Sequence, residues 1–264
     1  MRVLCFLIVL AALTVPVAGA SAVEKDASLL IGRGDEAWKK RGTAGAIENT
    51  VAADCYLSAV EAAPYSYEAH WKAARSLWWM ADQELLSSGD KNRQRDLSKR
   101  AMDLAARAGL ISPGGVEGHL YWALSALHYC YGVGMVGALK QGIQEEAARN
   151  LLFCYDKDRT AEGGLVLLGL SALYRTAPRP IRDMAKTVEY AREAESACPG
   201  GVRAAVYLGA ALAAAGYYEE SMEILAGVSE MDGNEALEPD CGWWKRFART
   251  CVERGNIPDP DRLL

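Results

Sequence analysis

Phenylalanine and histidine are nearly missing from this chain, with three of each in 264 residues. There is no His-Glu-x-x-His, no Cys-x-x-Cys and no Gly-x-Ser-x-Gly, which removes the usual signatures of zinc proteases, dithiol redox enzymes and serine hydrolases. Basic residues are not in excess: Lys and Arg total 29 against 34 Asp and Glu, for a formal net charge of −5. That balance argues against nucleic acid or an anionic membrane surface as partner. Sustained alternation of β-branched residues is also absent. Alanine and leucine are abundant instead, so the composition predicts an all-α chain.

The only long apolar run stands at the start. MRVLCFLIVLAALTVPVAGASA carries one charge, Arg2, then an apolar stretch broken by Pro16, and ends in small residues with Ala20-Ser21-Ala22 as the cleavage site. This is a secretory signal peptide pattern over residues 1–22, too short for a membrane span. The mature chain, Val23 to Leu264, is expected to be periplasmic or otherwise exported. An uncleaved signal peptide is the one route by which it would meet a membrane. Six cysteines remain in it: Cys55, Cys130, Cys154, Cys198, Cys241 and Cys251. An exported location permits disulfides, and buried free thiols are equally open. Cys241 and Cys251 would lie ~15 Å apart on one helix, too far to bond.

A short pattern recurs. AADCYLSAVEAAP places Ala52, Tyr56, Ala59 and Pro64 at fixed offsets. AMDLAARAGLISP repeats them as Ala101, Ala105, Ala108 and Pro113, and TVEYAREAESACP as Thr187, Ala191, Ala194 and Pro199. Two looser copies carry Ala147, Leu151 and Cys154, then Ser221, Leu225 and Val228. Offsets of four and seven put small side chains on one helical face, where a neighbouring helix can approach closely. Proline or glycine at the end stops the helix. Each copy is preceded by a second helical stretch, such as YEAHWKAARSLWWM at 67–80 and VEGHLYWALSALHY at 116–129. A further one, YLGAALAAAGYYEES, carries Leu208, Gly209, Leu212, Gly216 and Tyr218.

On these residues the chain resembles the tetratricopeptide-repeat (TPR) proteins, whose helix pairs carry Leu-Gly-x-x-Tyr, Gly-x-Tyr and Ala-x-x-x-Phe-x-x-Ala-x-x-x-x-Pro. The resemblance covers roughly residues 27–233. It implies a TPR-like α-solenoid of about five helix pairs. The units end at residues 64, 113, 159, 199 and 233, so the early ones exceed the usual repeat of about 34 residues. LLSSGDKNRQRDL at 85–97 and GVGMVGALKQGI at 132–143 are expected to be extended helix ends or inserted loops. CGWWKRFARTCVERG at 241–255 is expected to be a C-terminal capping helix, with Trp243, Trp244 and Phe247 covering the last repeat. The repeat domain is then 23–256, and 257–264 is a tail.

The resemblance also implies where binding resides. The first helix of each pair lines the concave face, which offers Lys72, Ser76, Trp79 and Met80, then Tyr121, Ser125, His128 and Tyr129, then Val166, Leu170, Leu173 and Tyr174. In the fifth pair it offers Val206, Ala210, Ala213 and Ala214. This set implies a non-enzymatic adaptor that holds a protein partner in the cell envelope. A more specific similarity is to the T component of TRAP transporters (the TatT group), carried by EAHWKAAR at 68–75 and by Ala177–Asp183. It implies a periplasmic substrate-binding protein as partner and an apolar small ligand. A third alternative is an envelope assembly scaffold using the basic stretch KNRQRDLSKR at 91–100.

Other motifs carry less. Gly132, Gly134 and Gly137 form GxGxxG, but a helix rather than a strand precedes them, so a loop or tightly packed helix end is expected and no cofactor. His128 and Cys130 sit two apart on one helix and do not face the same way, so no metal site is expected.

Overall fold

The computed structural model describes residues 18–87, 90–134, 137, 141–233 and 238–257. Most of the expected signal peptide and the end of the tail lie outside them. Among the described residues there are eleven helices and no strand. In chain order they are α1 Ala18–Lys39, α2 Ile47–Ala62, α3 Tyr67–Ser87, α4 Lys91–Ile111, α5 Val116–Val133, α6 Ile143–Asp158, α7 Ala161–Thr176, α8 Met184–Ala197, α9 Val202–Ala214, α10 Tyr218–Val228 and α11 Cys241–Arg254. Successive helices pack antiparallel into five pairs, α1/α2 to α9/α10, and α11 closes the end.

The repeated small residues make the seams. Ala52, Tyr56 and Ala59 of α2, and Ala101, Ala105 and Ala108 of α4, are buried at 1% exposure or less. So are Ala147, Leu151 and Cys154 of α6, Thr187, Ala191 and Ala194 of α8, and Ser221, Leu225 and Val228 of α10. One stripe at offsets of four and seven therefore sets the packing face of every second helix. The turn after it also repeats. Ala63, Ser112 and Cys198 donate to the carbonyls of Ala59, Ala108 and Ala194, and Ser66, Gly115 and Gly201 then donate to the carbonyls of Ala63, Ser112 and Cys198. The prolines at 64, 113 and 199 sit between these bonds, where no further helical donor is needed.

In the first insertion, at 85–97, residues 85–87 and 91–97 are helical. α3 and α4 each extend to 21 residues, and the Asp90 carboxylate caps α4 by accepting from the amides of Asn92 and Arg93. The second falls between α5 and α6: Gly132 is in the last turn of α5 against Arg95, and Gly134 ends the helix at φ 78°. Its remaining glycine-loop residues are partly outside the described set. At the C-terminus Trp244, Ala248 and Cys251 of α11 are fully buried, while Trp243 and Phe247 stack on each other at 5.3 Å. The described cysteines, Cys55 to Cys251, are free thiols. Burial, then the neighbouring carboxylates, pushes Cys130 and Cys154 up to about 12, so both stay protonated at neutral pH.

Close approach within the fifth pair depends on Gly209. A Cβ there would stand 2.7 Å from Leu225 Cγ, and Ser221 Oγ donates to the Gly209 carbonyl at 2.7 Å. Gly209→Leu should therefore force α9 and α10 apart and cost ~1–3 kcal/mol. Urea unfolding measures it; an unchanged midpoint would mean that this seam tolerates the extra volume.

Candidate functional site

The first helices of the pairs turn their inner faces toward one another, and the largely apolar interior they enclose holds one polar network. Asp82 and Gln83 of α3, His128 of α5, Arg203 of α9 and Asp240 at the start of α11 are all at 5% exposure or less. Arg203 donates to Asp82 Oδ2 at 2.9 Å and to Asp240 Oδ2 at 2.5 Å. Gln83 reaches Asp240 Oδ2 at 3.4 Å, and the Trp244 indole N–H donates to the same oxygen at 2.8 Å. His128 Nε2 lies 3.6 Å from Asp82 Oδ1. The Arg203 guanidinium also lies against Trp79 and Trp244, with ring centroids at 5.6 and 5.1 Å. Second and fifth pairs are thus latched across the concave face.

Two carboxylates compete there for one guanidinium. Burial pushes Asp82 up, and the pull of Arg203 and His128 does not bring it back to the ordinary value. Burial also acts upward on Asp240, but the charge and hydrogen bond of Arg203 and the Trp244 indole outweigh it and hold it below that value. Arg203 is lowered by burial and raised more strongly by Asp240 and Asp82.

Where α1, α3 and the start of α7 meet, the interior gives way to solvent at what we call the mouth, with Asp35, Trp38 and Trp71 half-buried and Glu68 exposed. There Lys72 Nζ bridges Asp35 and Glu68, each at 2.7 Å. Tyr56 Oη donates to Asp35 at 2.7 Å. The Asp35 carboxyl is pushed up by its partial burial but pulled lower overall by Lys72 and Tyr56. Arg75 lies against two indoles, Trp38 at 4.2 Å and Trp71 at 4.8 Å. Its polar contacts are long: Tyr56 Oη at 3.4 Å and Glu162 Oε1 at 3.8 Å. Arg41 packs on the ring of Trp38 as well, at 4.5 Å, and burial with the nearby charge of Arg75 lowers its pKa.

Of the residues expected on the groove, Ser76, Trp79, Tyr121, Ser125, His128, Leu170 and Leu173 are at 5% exposure or less, and Lys72 and Tyr174 at 8%. Val166, Val206 and Ala210 are buried too, and Met80 and Tyr129 are half-buried. Trp79 Nε1 donates to the Gly42 carbonyl, so its indole is used inside the molecule. The structure brings Lys72, Trp79, Tyr121 and His128 to the interior and adds Asp35, Arg41, Arg75, Asp82, Glu162, Arg203 and Asp240, none of which the repeat pattern marks. The basic run of α4 is largely neutralised at the surface, with Arg93 on Glu84, Arg95 on Asp96 and Lys99 on Asp103. Outside the interior, a shallow groove of about 800 Å³ between α1 and α2 is lined by Leu29, Ile47 and Val51.

Among solved structures, the chain is similar to a thermophilic TPR protein of Thermus thermophilus. The TM-score is 0.59 at 13% identity, over 83% of this chain and 98% of that one. The chain therefore has the TPR-type solenoid fold. No family model matches the sequence, and no curated protein matches it.

Removing the shared cation should leave two buried carboxylates unpaired. Arg203→Met is expected to destabilise the chain by ~3–5 kcal/mol in chemical denaturation; a loss no larger than that of a surface arginine would show that the latch carries no load. The two aspartates should also oppose each other in acid. Asp82, held above 3.8, adds stability as pH falls toward that value. Asp240, held below 3.8, contributes stability that is complete above it and lost as pH falls further. Urea midpoints across the acid range should flatten on the early side for Asp82→Asn and on the late side for Asp240→Asn. A change of slope in the same direction for both would contradict this assignment.

Proposed function

We propose that the chain is a non-enzymatic, exported binding module that holds a protein partner at the mouth of its concave face. The carrying observation is the division of that face. The deep part is latched shut by Arg203, while the mouth presents half-buried Trp38 and Trp71 beside the exposed Glu68 and the Lys72–Asp35 pair. Half-buried indoles ringed by paired charges supply a large apolar contact and a polar rim, the composition of a protein interface. Export rests on the signal-peptide pattern of residues 1–22; no described helix is long and apolar enough to cross a membrane. The fold similarity supports a scaffold whose helices present side chains rather than converge on a reacting atom.

The test is capture from the native host. Residues 23–264, exported with the native leader and tagged, are crosslinked gently beside a Trp71→Ala/Glu68→Lys variant that leaves the latch intact. One protein retained by the wild type and lost by the variant is the expected result. Its identity as a transporter substrate-binding protein would select the T-component reading. Equal capture by both proteins would move the interface away from the mouth, and no specific capture would overturn the adaptor reading.

A further inference from the structure

Arg75 is held differently from Arg203. It is 7% exposed, and its Nε is buried without a hydrogen-bond partner. The indoles of Trp38 and Trp71 both lie against the guanidinium, and its in-plane N–H donors are what remain for recognition. The two edge contacts it has, at 3.4 and 3.8 Å, are too long for a good charge-assisted pair, which closes to about 2.7–2.9 Å. A desolvated arginine with free in-plane donors is a receptor for a planar anion, since a carboxylate matches its fork with two parallel bonds.

The group now facing that edge is Glu162, and it arrives there on an unusual backbone. Glu162 has φ 51° and ψ 43°, and Gly163 and Gly164 follow at φ 68° and 85°. Glu162 is the only non-glycine residue with positive φ among those described. Left-handed backbone is disfavoured for a residue with a Cβ. The two glycines after it make a left-handed turn feasible, and Glu162 supplies the carboxylate at its head. That carboxylate is 27% exposed, so it stands between Arg75 and solvent.

We propose that Arg75 is a carboxylate receptor and that Glu162 is its intramolecular stand-in, displaced when an external carboxylate enters. The exchange conserves charge: one carboxylate leaves the guanidinium edge as another arrives, and the left-handed turn relaxes as Glu162 withdraws. The carboxylate could come from a small organic acid or from the end of a polypeptide. The peptide source rests on the adaptor reading above, whereas the small-acid source does not.

The experiment titrates the mature chain with benzoate, with neutral benzamide as control, and follows tryptophan fluorescence, because Trp38 and Trp71 contact the receptor. A peptide with a free C-terminus and its amidated twin form the second arm. Glu162→Gln is expected to bind benzoate at least about tenfold more tightly than the wild type, the loss of one competing charge-assisted contact. Arg75→Gln is expected to lose the response. Glu162→Gly tests the stand-in role apart from Arg75: relief of the left-handed strain should leave Tm unchanged or raised while affinity rises. Benzoate and free peptide both binding would assign a receptor open to either source, and benzoate alone would assign small acids while leaving the capture result to judge the adaptor reading. Equal affinity in the wild type and Glu162→Gln, response to benzamide, or a Glu162→Gly protein that melts lower without binding more tightly would each overturn the proposal.

Discussion

The closure of this superhelix depends on one buried cation. Arg203 and its two aspartates are removed from water at a cost of several kcal/mol per ion, offset only where the geometry is good. The geometry is met only if α3, α9 and α11 hold one register, because Asp82 and Arg203 are 121 residues apart in sequence and Gln83 and Asp240 are 157 apart. An array of helical repeats ordinarily interacts only between neighbours, and its stability is then close to a sum over units. A charge shared between the second and fifth pairs changes that. Losing α11 strands Arg203 and Asp82 together, so the terminal cap and the early repeats are coupled energetically as well as stacked.

The same contact explains the burial of the concave face. Trp79 and Trp244 lie against the Arg203 guanidinium, and Trp79 in turn is tied to the α1–α2 connection through Gly42. With the deep interior filled in this way, side chains that a TPR-like groove would offer to a partner become structural. What remains reachable is the mouth, where charges are paired across α1 and α3 and two indoles are only half covered.

The convex seams were legible in the sequence because they are local. Alanine at offsets of four and seven, then proline, is a signal contained within thirteen residues, and every helical position of it is buried. The capping role of Trp244 was legible for the same reason. The boundaries of the first insertion had a readable marker that the repeat pattern passes over: Asp90, a capping aspartate immediately before α4. The inner network had no such marker. Arg203 sits in an alanine-rich helix and Asp240 in a connection, and nothing near either residue reports that they meet Asp82. Register could place Lys72, Trp79 and His128 on the inner wall. Only tertiary structure shows that the wall opposite carries their partners.

Two arginines in one interior therefore differ in kind although both stack on tryptophan. Arg203 has two carboxylates at hydrogen-bond distance and is 5% exposed, so withdrawing the cation leaves both acids buried without it. Arg75 is almost as buried, yet its ion-pair partner Glu162 stands at 3.8 Å and is itself a left-handed residue. Stacking immobilises both guanidinium planes and satisfies neither edge. Edge contacts decide which charge is structural and which can exchange its partner. By that criterion the deep pair fixes the shape of the molecule, and the loosely held pair at the mouth is where an incoming anion can compete.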